Sequence, residues 1–193
     1  MNTGDARTEI LRSIRTHLAA SAPEPQIKAD LYESVAEEPV ASLVEVFKRN
    51  LEAVDGRCFV VESEAEAEKV VKRLTERKKI ASADEPRADL FRSDVGVTRA
   101  QAGIAETGTL VLDSSVERNR LVSLVPPIHI AILSASQIHQ TLGETLAVLQ
   151  SAKELSPAIT FITGPSRTAD IELTLAIGVH GPQELYVIVV QNN

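Results

Sequence analysis

The sequence is poor in cysteine and in aromatic residues, and each shortage excludes a class of site. Cys58 is the single cysteine, so this chain alone forms neither an internal disulfide nor a cysteine-ligated iron–sulfur cluster. Aromatic residues make up 3% of the chain, and its formal net charge is -7 at pH 7. Nucleic-acid-binding surfaces carry basic stripes or stacking rings. We therefore expect no nucleic-acid partner.

Long apolar runs are also missing. No segment approaches the roughly 20 consecutive apolar residues of a membrane-spanning helix, and the amino terminus lacks the apolar core of a signal peptide. We therefore expect a cytoplasmic protein without a membrane partner. The four histidines show no metal-site spacing with nearby carboxylates. We predict neither a metal site nor a cofactor for this chain.

The 193 residues are 44% apolar, which suits one compact domain with an appendage. Apolar residues at helical spacing predict an amphipathic arm over residues 6–20, and a proline-containing linker follows. We predict that residues 1–39 form this arm and linker and that residues 40–193 form the domain. An exposed apolar stripe on the arm would favour packing against a neighbouring molecule, including a second copy in a homo-oligomer.

Within residues 40–193, strand and helix patterns alternate as in an α/β fold, a Rossmann-like sheet flanked by helices. The predicted helices cover residues 40–54, 64–77, 136–150 and 168–178. The predicted strands cover residues 57–61, 80–82, 108–113, 121–125, 128–133, 159–163 and 185–190. We expect 108–113 and 121–125 to pair as a hairpin around the polar turn 117–120, and 128–133 to be a central strand.

One candidate site is the turn at residues 103–109, Gly-Ile-Ala-Glu-Thr-Gly-Thr. Glu106 stands two residues before Gly108, directly ahead of a predicted strand. A turn glycine lets a substrate approach the backbone, and a glutamate there can act as a base or a covalent nucleophile. Alternatively, Glu106 is a solvated turn residue or an ion-pair partner of Arg167 or Arg120. The binding candidates at this turn are Gly103, Thr107, Gly108 and Thr109.

A second candidate is the turn at residues 164–170, Gly-Pro-Ser-Arg-Thr-Ala-Asp, predicted to lead from a strand into a helix at the carboxyl edge of the sheet. Hydroxyls, a guanidinium group and the free amides of a helix start would favour an anion. Alternatively, Thr168 only caps the helix, while Asp170 and Glu172 offset its positive end. The binding candidates here are Gly164, Ser166, Arg167, Thr168 and Asp170.

Two histidines have contrasting contexts. His180 lies between glycines in a predicted loop, which suits ligand binding or proton transfer. His129 lies within an apolar strand, where we expect a buried, hydrogen-bonded core histidine. We assign Arg120 and His180 to the same proposed pocket as the two turns.

Four segments taken together, residues 103–111, 120–129, 164–172 and 178–182, resemble the lactate-utilisation protein C family, which has a LUD domain of the DUF162 type. The resemblance implies the fold shared by glucosamine-6-phosphate isomerase (NagB), ribose-5-phosphate isomerase (RpiA) and coenzyme A transferases. It also implies a role in growth on L-lactate beside two companion proteins that resemble iron–sulfur oxidoreductase subunits and oxidise lactate to pyruvate. The single cysteine fits a subunit without clusters.

These observations leave three functional hypotheses. The leading one is a non-cluster component of an L-lactate oxidation system, which binds a small anionic metabolite or its iron–sulfur partners through the two turns. The second is an enzyme of acyl or sugar-phosphate chemistry, because Glu106-Thr-Gly108 is similar to the Glu-x-Gly motif of some coenzyme A transferases. In that enzyme Glu106 would be the nucleophile or base, and Arg167 would clamp the anion. The third is a regulatory domain that senses lactate or a sugar phosphate.

Overall fold

The computed structural model describes residues 3–19, 39–151, 156–168, 176–177 and 181–192. Two site candidates, Asp170 and His180, lie outside the described residues. The chain divides into two units, residues 1–35 and 36–193. The described part of the first unit is helix α1 (Thr3–Ala19), which covers most of the predicted arm. The apolar residues Ile10, Leu11 and Ile14 of this helix are exposed.

The described part of the second unit contains four helices and ten strands. The helices are α2 (Val40–Ala53), α3 (Glu64–Leu74), α4 (Arg87–Leu90) and α5 (Leu142–Gln150). The strands are β1 (Arg57–Val61), β2 (Val95–Arg99), β3 (Ala102–Ile104), β4 (Thr109–Asp113), β5 (Ile128–Ser134), β6 (Ile138–His139), β7 (Ile159–Ile162), β8 (Arg167–Thr168), β9 (Ala176–Ile177) and β10 (Glu184–Val190). Short 3-10 turns occupy Arg120–Ser123 and Ala135–Gln137. None of the described helices has the length and apolar character of a membrane span.

The main sheet is parallel throughout, with strand order β1-β10-β5-β2. Alternate residues of β10 join different clusters: Leu185, Val187 and Val189 pack with α2, whereas Tyr186, Ile188 and Val190 pack with α3. A sheet covered on both faces needs strands that are apolar on both faces. The α/β fold class is confirmed, and β5 lies inside the sheet as predicted.

A second, mixed sheet has strand order β6-β3-β4-β7. Leu110 and Leu112 of β4 face the same core as Phe47 and Leu51 of α2. The intervening residue Val111 belongs to a separate cluster with Leu149 of α5. The main core therefore includes α2 and one face of each sheet.

The predicted hairpin of residues 108–113 and 121–125 is wrong. Strand β4 pairs instead with β3 and β7, both antiparallel. The apolar run that follows position 120 begins as a 3-10 turn, and the Asn119 side chain caps this turn by accepting a hydrogen bond from the Leu121 amide. Val122 packs in a small cluster with Ala81 and Leu90 rather than in a sheet.

Three other predicted elements differ from the structure. Residues 80–82 form only a single bridge, between Ile80 and Val95. The helix predicted from residue 136 begins at Leu142, after the short strand β6. The helix predicted over residues 168–178 is wrong where the chain is described, because β8 and β9 pair as antiparallel strands there.

Candidate functional site

The structure joins the turn at 103–109 to the segment that leads into the second turn. Strands β4 and β7 are antiparallel, with Leu110 opposite Ile162, so the start of one strand lies beside the end of the other. The Thr109 and Thr163 hydroxyl oxygens are 2.6 Å apart, and the Thr107 hydroxyl oxygen is 2.7 Å from that of Thr109. Three hydroxyls therefore form a continuous hydrogen-bonded row across both segments.

A cavity of about 360 Å³ opens beside this row, and we call it the threonine pocket. The hydroxyl-bearing residues share its lining with one acid and four apolar residues: Thr107, Thr109, Thr163, Glu106, Ile104, Leu142, Leu146 and Phe161. Leu142 and Phe161 are 42% and 43% exposed, respectively. The pocket is thus largely apolar, with a polar strip of hydroxyls and one carboxylate.

Glu106 has a structural partner in this pocket. Its Oε1 accepts a hydrogen bond of 2.7 Å from the Leu142 amide, at the start of α5. The first amides of a helix lack partners within the helix, and a carboxylate there also offsets the positive helix end. The Asn50 side-chain amide of α2 holds the same turn by donating to the carbonyls of Ala105 and Glu106, at 2.8 and 3.0 Å. Glu106 therefore caps α5 from a distant turn.

Replacing Glu106 by alanine is expected to lower the free energy of unfolding by about 1 kcal/mol, because α5 loses a charged cap. The Tm should fall by about 2–4 °C in a domain of this size. Glu106→Gln keeps an acceptor and should lose less than the alanine variant. Thermal unfolding of the three proteins checks this, and equal Tm values would show that the cap contributes nothing.

Gly108 is required by packing. Its φ is 65°, and an added Cβ would lie 2.3 Å from the Leu51 amide nitrogen of α2. A side chain would therefore meet both a strained backbone and a backbone clash. Gly103 lies buried within β3, facing the core side chain of Leu133. The glycines of this turn therefore have a structural reason to be glycine.

The second turn does not lead into a helix at the predicted position. Arg167 and Thr168 belong to β8, so no helix begins at these residues. Arg167 forms an ion pair with Asp55, and the predicted pairing of Glu106 with Arg167 or Arg120 is not present among the described residues. Gly164 lies against Val54 at the end of α2.

The segment before the last strand does reach the second turn. The Ser166 amide donates a hydrogen bond of 2.7 Å to the Pro182 carbonyl. Arg120, the remaining candidate, is exposed at the start of a 3-10 turn and is not among the described residues that line the threonine pocket. The structure therefore brings together only part of the proposed pocket.

Sequence reasoning missed a second cavity, which we call the Glu117 pocket. It has a volume of about 310 Å³ and lies at the carboxyl end of β2, beneath the loop that was predicted to be a hairpin turn. Its polar lining residues are Thr98, Arg99, Gln101, Glu117, Arg118 and Asn119. The sequence feature that points to this pocket is the polar run 117–120 between two apolar segments. Ordinary surface turns have the same pattern, so the run alone does not indicate a cavity.

Burial raises the pKa of the Glu117 carboxyl group to about 7, and a hydrogen bond with Thr98 partly opposes this rise. The neighbouring arginines differ in their partners. Arg99 makes a bidentate contact with Glu64 of α3, at 2.8 and 2.6 Å. The Arg118 guanidinium lies 3.6 Å from the Asp84 carboxylate, and these side chains are 77% and 79% exposed. Arg99 is therefore held firmly, whereas Arg118 is held loosely.

His129 lies behind the Glu117 pocket and is fully buried. Its Nε2 is 2.8 Å from the Thr98 hydroxyl oxygen. Its Nδ1 is the one buried side-chain polar atom in the described part of the chain without a hydrogen-bond partner. Burial lowers the pKa of His129 to about 4. The predicted burial is correct, but only one of the two ring nitrogens is hydrogen-bonded.

The described residues offer little metal or thiol chemistry. They contain no group of three or more histidine, cysteine, aspartate or glutamate side chains placed to hold a metal ion. Cys58 is buried in β1, and burial raises the pKa of its thiol to about 12. A thiol with that pKa stays protonated at neutral pH and is a poor nucleophile.

A model of the LUD domain family matches residues 79–190, a range that contains all the described lining residues of both pockets. Lactate utilization protein C of Deinococcus radiodurans is 44% identical over 112 residues, which cover 55% of this chain and 52% of that protein. Lactate utilization protein C of Bacillus licheniformis is 37% identical over 116 residues, covering 58% of this chain and 48% of that protein. The chain therefore spans about half the length of the curated relatives it matches.

A solved structure also matches. The crystal structure of a DUF162 family protein from Deinococcus radiodurans superimposes with a TM-score of 0.61 and 27% sequence identity. The match covers 80% of this chain and 99% of that chain. It supports the α/β fold described above.

Proposed function

Because this chain belongs to the LUD domain family, we propose that it is a non-cluster component of a lactate-utilisation system and docks iron–sulfur partner proteins. Relatives named lactate utilization protein C support the pathway. The single, buried cysteine supports the assignment of this chain as the component without clusters, since iron–sulfur clusters would then be held by the partner proteins.

The composition of the threonine pocket carries the docking part of the proposal. Among the described residues that line it, the charged side chain is Glu106, and none is arginine or lysine. A small anion would meet a negative charge there without a compensating cation. The exposed faces of Leu142 and Phe161 instead offer apolar contact area, and buried aromatic anchors dominate the affinity of many protein interfaces. The pocket therefore favours a partner protein over an anionic metabolite.

Replacing Phe161 by glutamate is expected to weaken association with the iron–sulfur partners by at least about tenfold, because an interface anchor becomes a buried charge. The matched control is Phe91→Glu, since Phe91 is 67% exposed and does not line the pocket. Pull-down of the two iron–sulfur companions by the full chain, followed by titration of the captured complex, measures both effects.

Two results would overturn the proposal. One is a wild-type chain that captures neither companion, together with normal growth on L-lactate of a strain that lacks this protein. The other is an equal loss of binding in the Phe161 and Phe91 variants. Thermal unfolding of both variants ensures that the compared proteins are folded.

A further inference from the structure

We propose that the Glu117 pocket is a separate binding site for a small carboxylate anion, and that Glu117 takes up a proton when the anion binds. The site goes beyond the docking function, because its lining comes mainly from β2 and from residues 116–119, and it shares no lining residue with the threonine pocket. Its position, volume and charges each support this assignment.

The position is one that open α/β sheets use for ligands. Thr98 and Arg99 end β2, an edge strand of the parallel sheet, and the cavity lies at that carboxyl end. Ligands in such folds bind outside the carboxyl ends of the strands. A volume of about 310 Å³ is at the lower limit of ligand pockets, which suits a molecule with few heavy atoms.

Arg118 supplies the cation for the anion. Its pair with Asp84 is mostly exposed, and such pairs contribute at most about 1 kcal/mol, so a ligand can displace Asp84 at little cost. The planar guanidinium group then binds a carboxylate through two parallel hydrogen bonds. Arg99 keeps its bidentate contact with Glu64 and closes the α3 side of the pocket.

The buried pair behind the pocket orients Glu117. A buried N–H without a partner is rarer, and costs more, than a buried acceptor without one. The proton of neutral His129 therefore belongs on Nε2, which donates to the Thr98 hydroxyl oxygen, and Nδ1 keeps an unpaired lone pair. The Thr98 hydroxyl is then committed to donate to Glu117. Thr98 thereby holds the Glu117 carboxyl group, and both residues line the pocket.

Proton uptake follows from the charge of the ligand. An anion beside Glu117 opposes its ionised form, and the exclusion of water by the ligand acts in the same direction. The incoming proton comes from solvent, and neutral Glu117 donates its O–H to an oxygen of the ligand. The charged and titratable groups around Glu117 are Arg118 and Asp84 on the loops, Arg99 and Glu64 on the α3 side, and His129 behind Thr98.

Calorimetric titration of the full chain with L-lactate, glycolate and pyruvate tests the site, with lactamide as an uncharged control. Titration at pH 7 in phosphate and in Tris gives the number of protons taken up, because the two buffers differ in ionisation enthalpy. We expect binding of a carboxylate probe with uptake of about half a proton, since Glu117 is already about half protonated at pH 7. Above pH 7 the affinity should fall with a steepening slope that approaches tenfold per pH unit well above the pKa of Glu117.

The variants separate the roles of the residues. Glu117→Gln should abolish proton uptake, and Arg118→Ala should weaken binding by about tenfold or more. Glu68→Gln, an exposed position on α3, should leave both quantities unchanged. Thr98→Val should move the pH midpoint of binding upward, because it removes the hydrogen bond that favours ionised Glu117.

The assignment is overturned if no carboxylate probe binds the wild-type chain, or if lactamide binds as well as lactate. It is also overturned if proton uptake is the same in wild type and Glu117→Gln. Loss of partner capture in the Phe161→Glu experiment leaves these results unaffected, so the two proposals fail separately.

Discussion

Alanine in place of Gly96 is expected to lower the free energy of unfolding by about 3 kcal/mol or more, in the upper range for an overpacked core. Gly96 lies in β2, and an added Cβ would lie 1.8 Å from the carbonyl oxygen of Val122 and 2.9 Å from its carbonyl carbon. These are backbone atoms, so no side-chain rotation relieves the clash. Either β2 or the 3-10 turn at Arg120–Ser123 has to move away from the other.

Thermal or urea unfolding measures this effect, and a loss of about 3 kcal/mol corresponds to a fall in Tm of roughly 6–12 °C. The matched control is Gly103→Ala, in the buried strand β3. Its added Cβ would meet the end of the Leu133 side chain at 2.7 Å rather than backbone, so a smaller loss is expected. Equal Tm values for wild type and Gly96→Ala would show that the two segments are not packed as described.

The sequence predicts an element well where local signals determine it. Strand β1 has the predicted bounds, 57–61, because an apolar run stands between Gly56 and the helix cap Ser63. Ser63 caps α3 by accepting a hydrogen bond from the Glu66 amide, and α3 begins at residue 64 as predicted. Each of these interactions joins residues only a few positions apart, so the pattern along the chain contains the information.

Prediction fails where the local sequence permits two secondary structures and contacts with distant residues decide between them. The run 121–125 has the composition of a strand, but Val122 packs with Leu90 and Ala81, which come from other parts of the chain. At residues 168–178, apolar side chains stand at 171, 173, 175 and 177. That spacing of two is typical of a strand, and it agrees with the strand at Ala176–Ile177 better than the predicted helix does.

The candidate site shows the same division. The glycines of the 103–109 turn identify it as a candidate, and four residues of this turn line the threonine pocket. The partners of Glu106 and Arg167 were not predictable. Glu106 contacts Leu142 and Arg167 contacts Asp55, and each partner lies far away in sequence. The Glu117 pocket was missed because its features are burial and long-range packing, and a polar run in a sequence contains neither.

Between pH 4.5 and 6.5, the stability of Glu117→Gln is expected to rise with pH more steeply than that of wild type, whereas His129→Gln should show the reverse change in slope. Burial lowers the pKa of His129 from 6.5 to about 4, so the unfolded chain binds the extra proton in this range. The resulting stability is fully present above pH 6.5 and is lost as the pH falls toward 4. The shift corresponds to about 3 kcal/mol.

Glu117 acts in the opposite direction. Burial raises its pKa from 4.5 to about 7, so the folded protein binds the extra proton between these values. Its contribution is fully present below pH 4.5 and is lost as the pH rises toward 7. Because the side chain is partly exposed, solvent screening reduces the effect to about 1–2 kcal/mol. In wild type the contributions of Glu117 and His129 to the pH dependence of stability therefore partly cancel.

Urea unfolding at pH 4.5, 5.5 and 6.5 measures the three slopes. Other groups also titrate in the folded state, including Glu64 and Asp113, whose pKa values are lowered. All three proteins keep those groups, so their contributions to the pH dependence are the same in each. The differences between the slopes therefore report the contributions of Glu117 and His129 alone. The variants also differ from wild type by an offset that does not depend on pH, which the comparison of slopes removes.

Three parallel stability curves would mean that neither group changes its pKa on folding. A steeper curve for His129→Gln would mean that the His129 ring is charged in the folded wild-type protein. A buried ring with no partner at Nδ1 and only a neutral hydroxyl at Nε2 cannot accommodate that charge without a counter-charge.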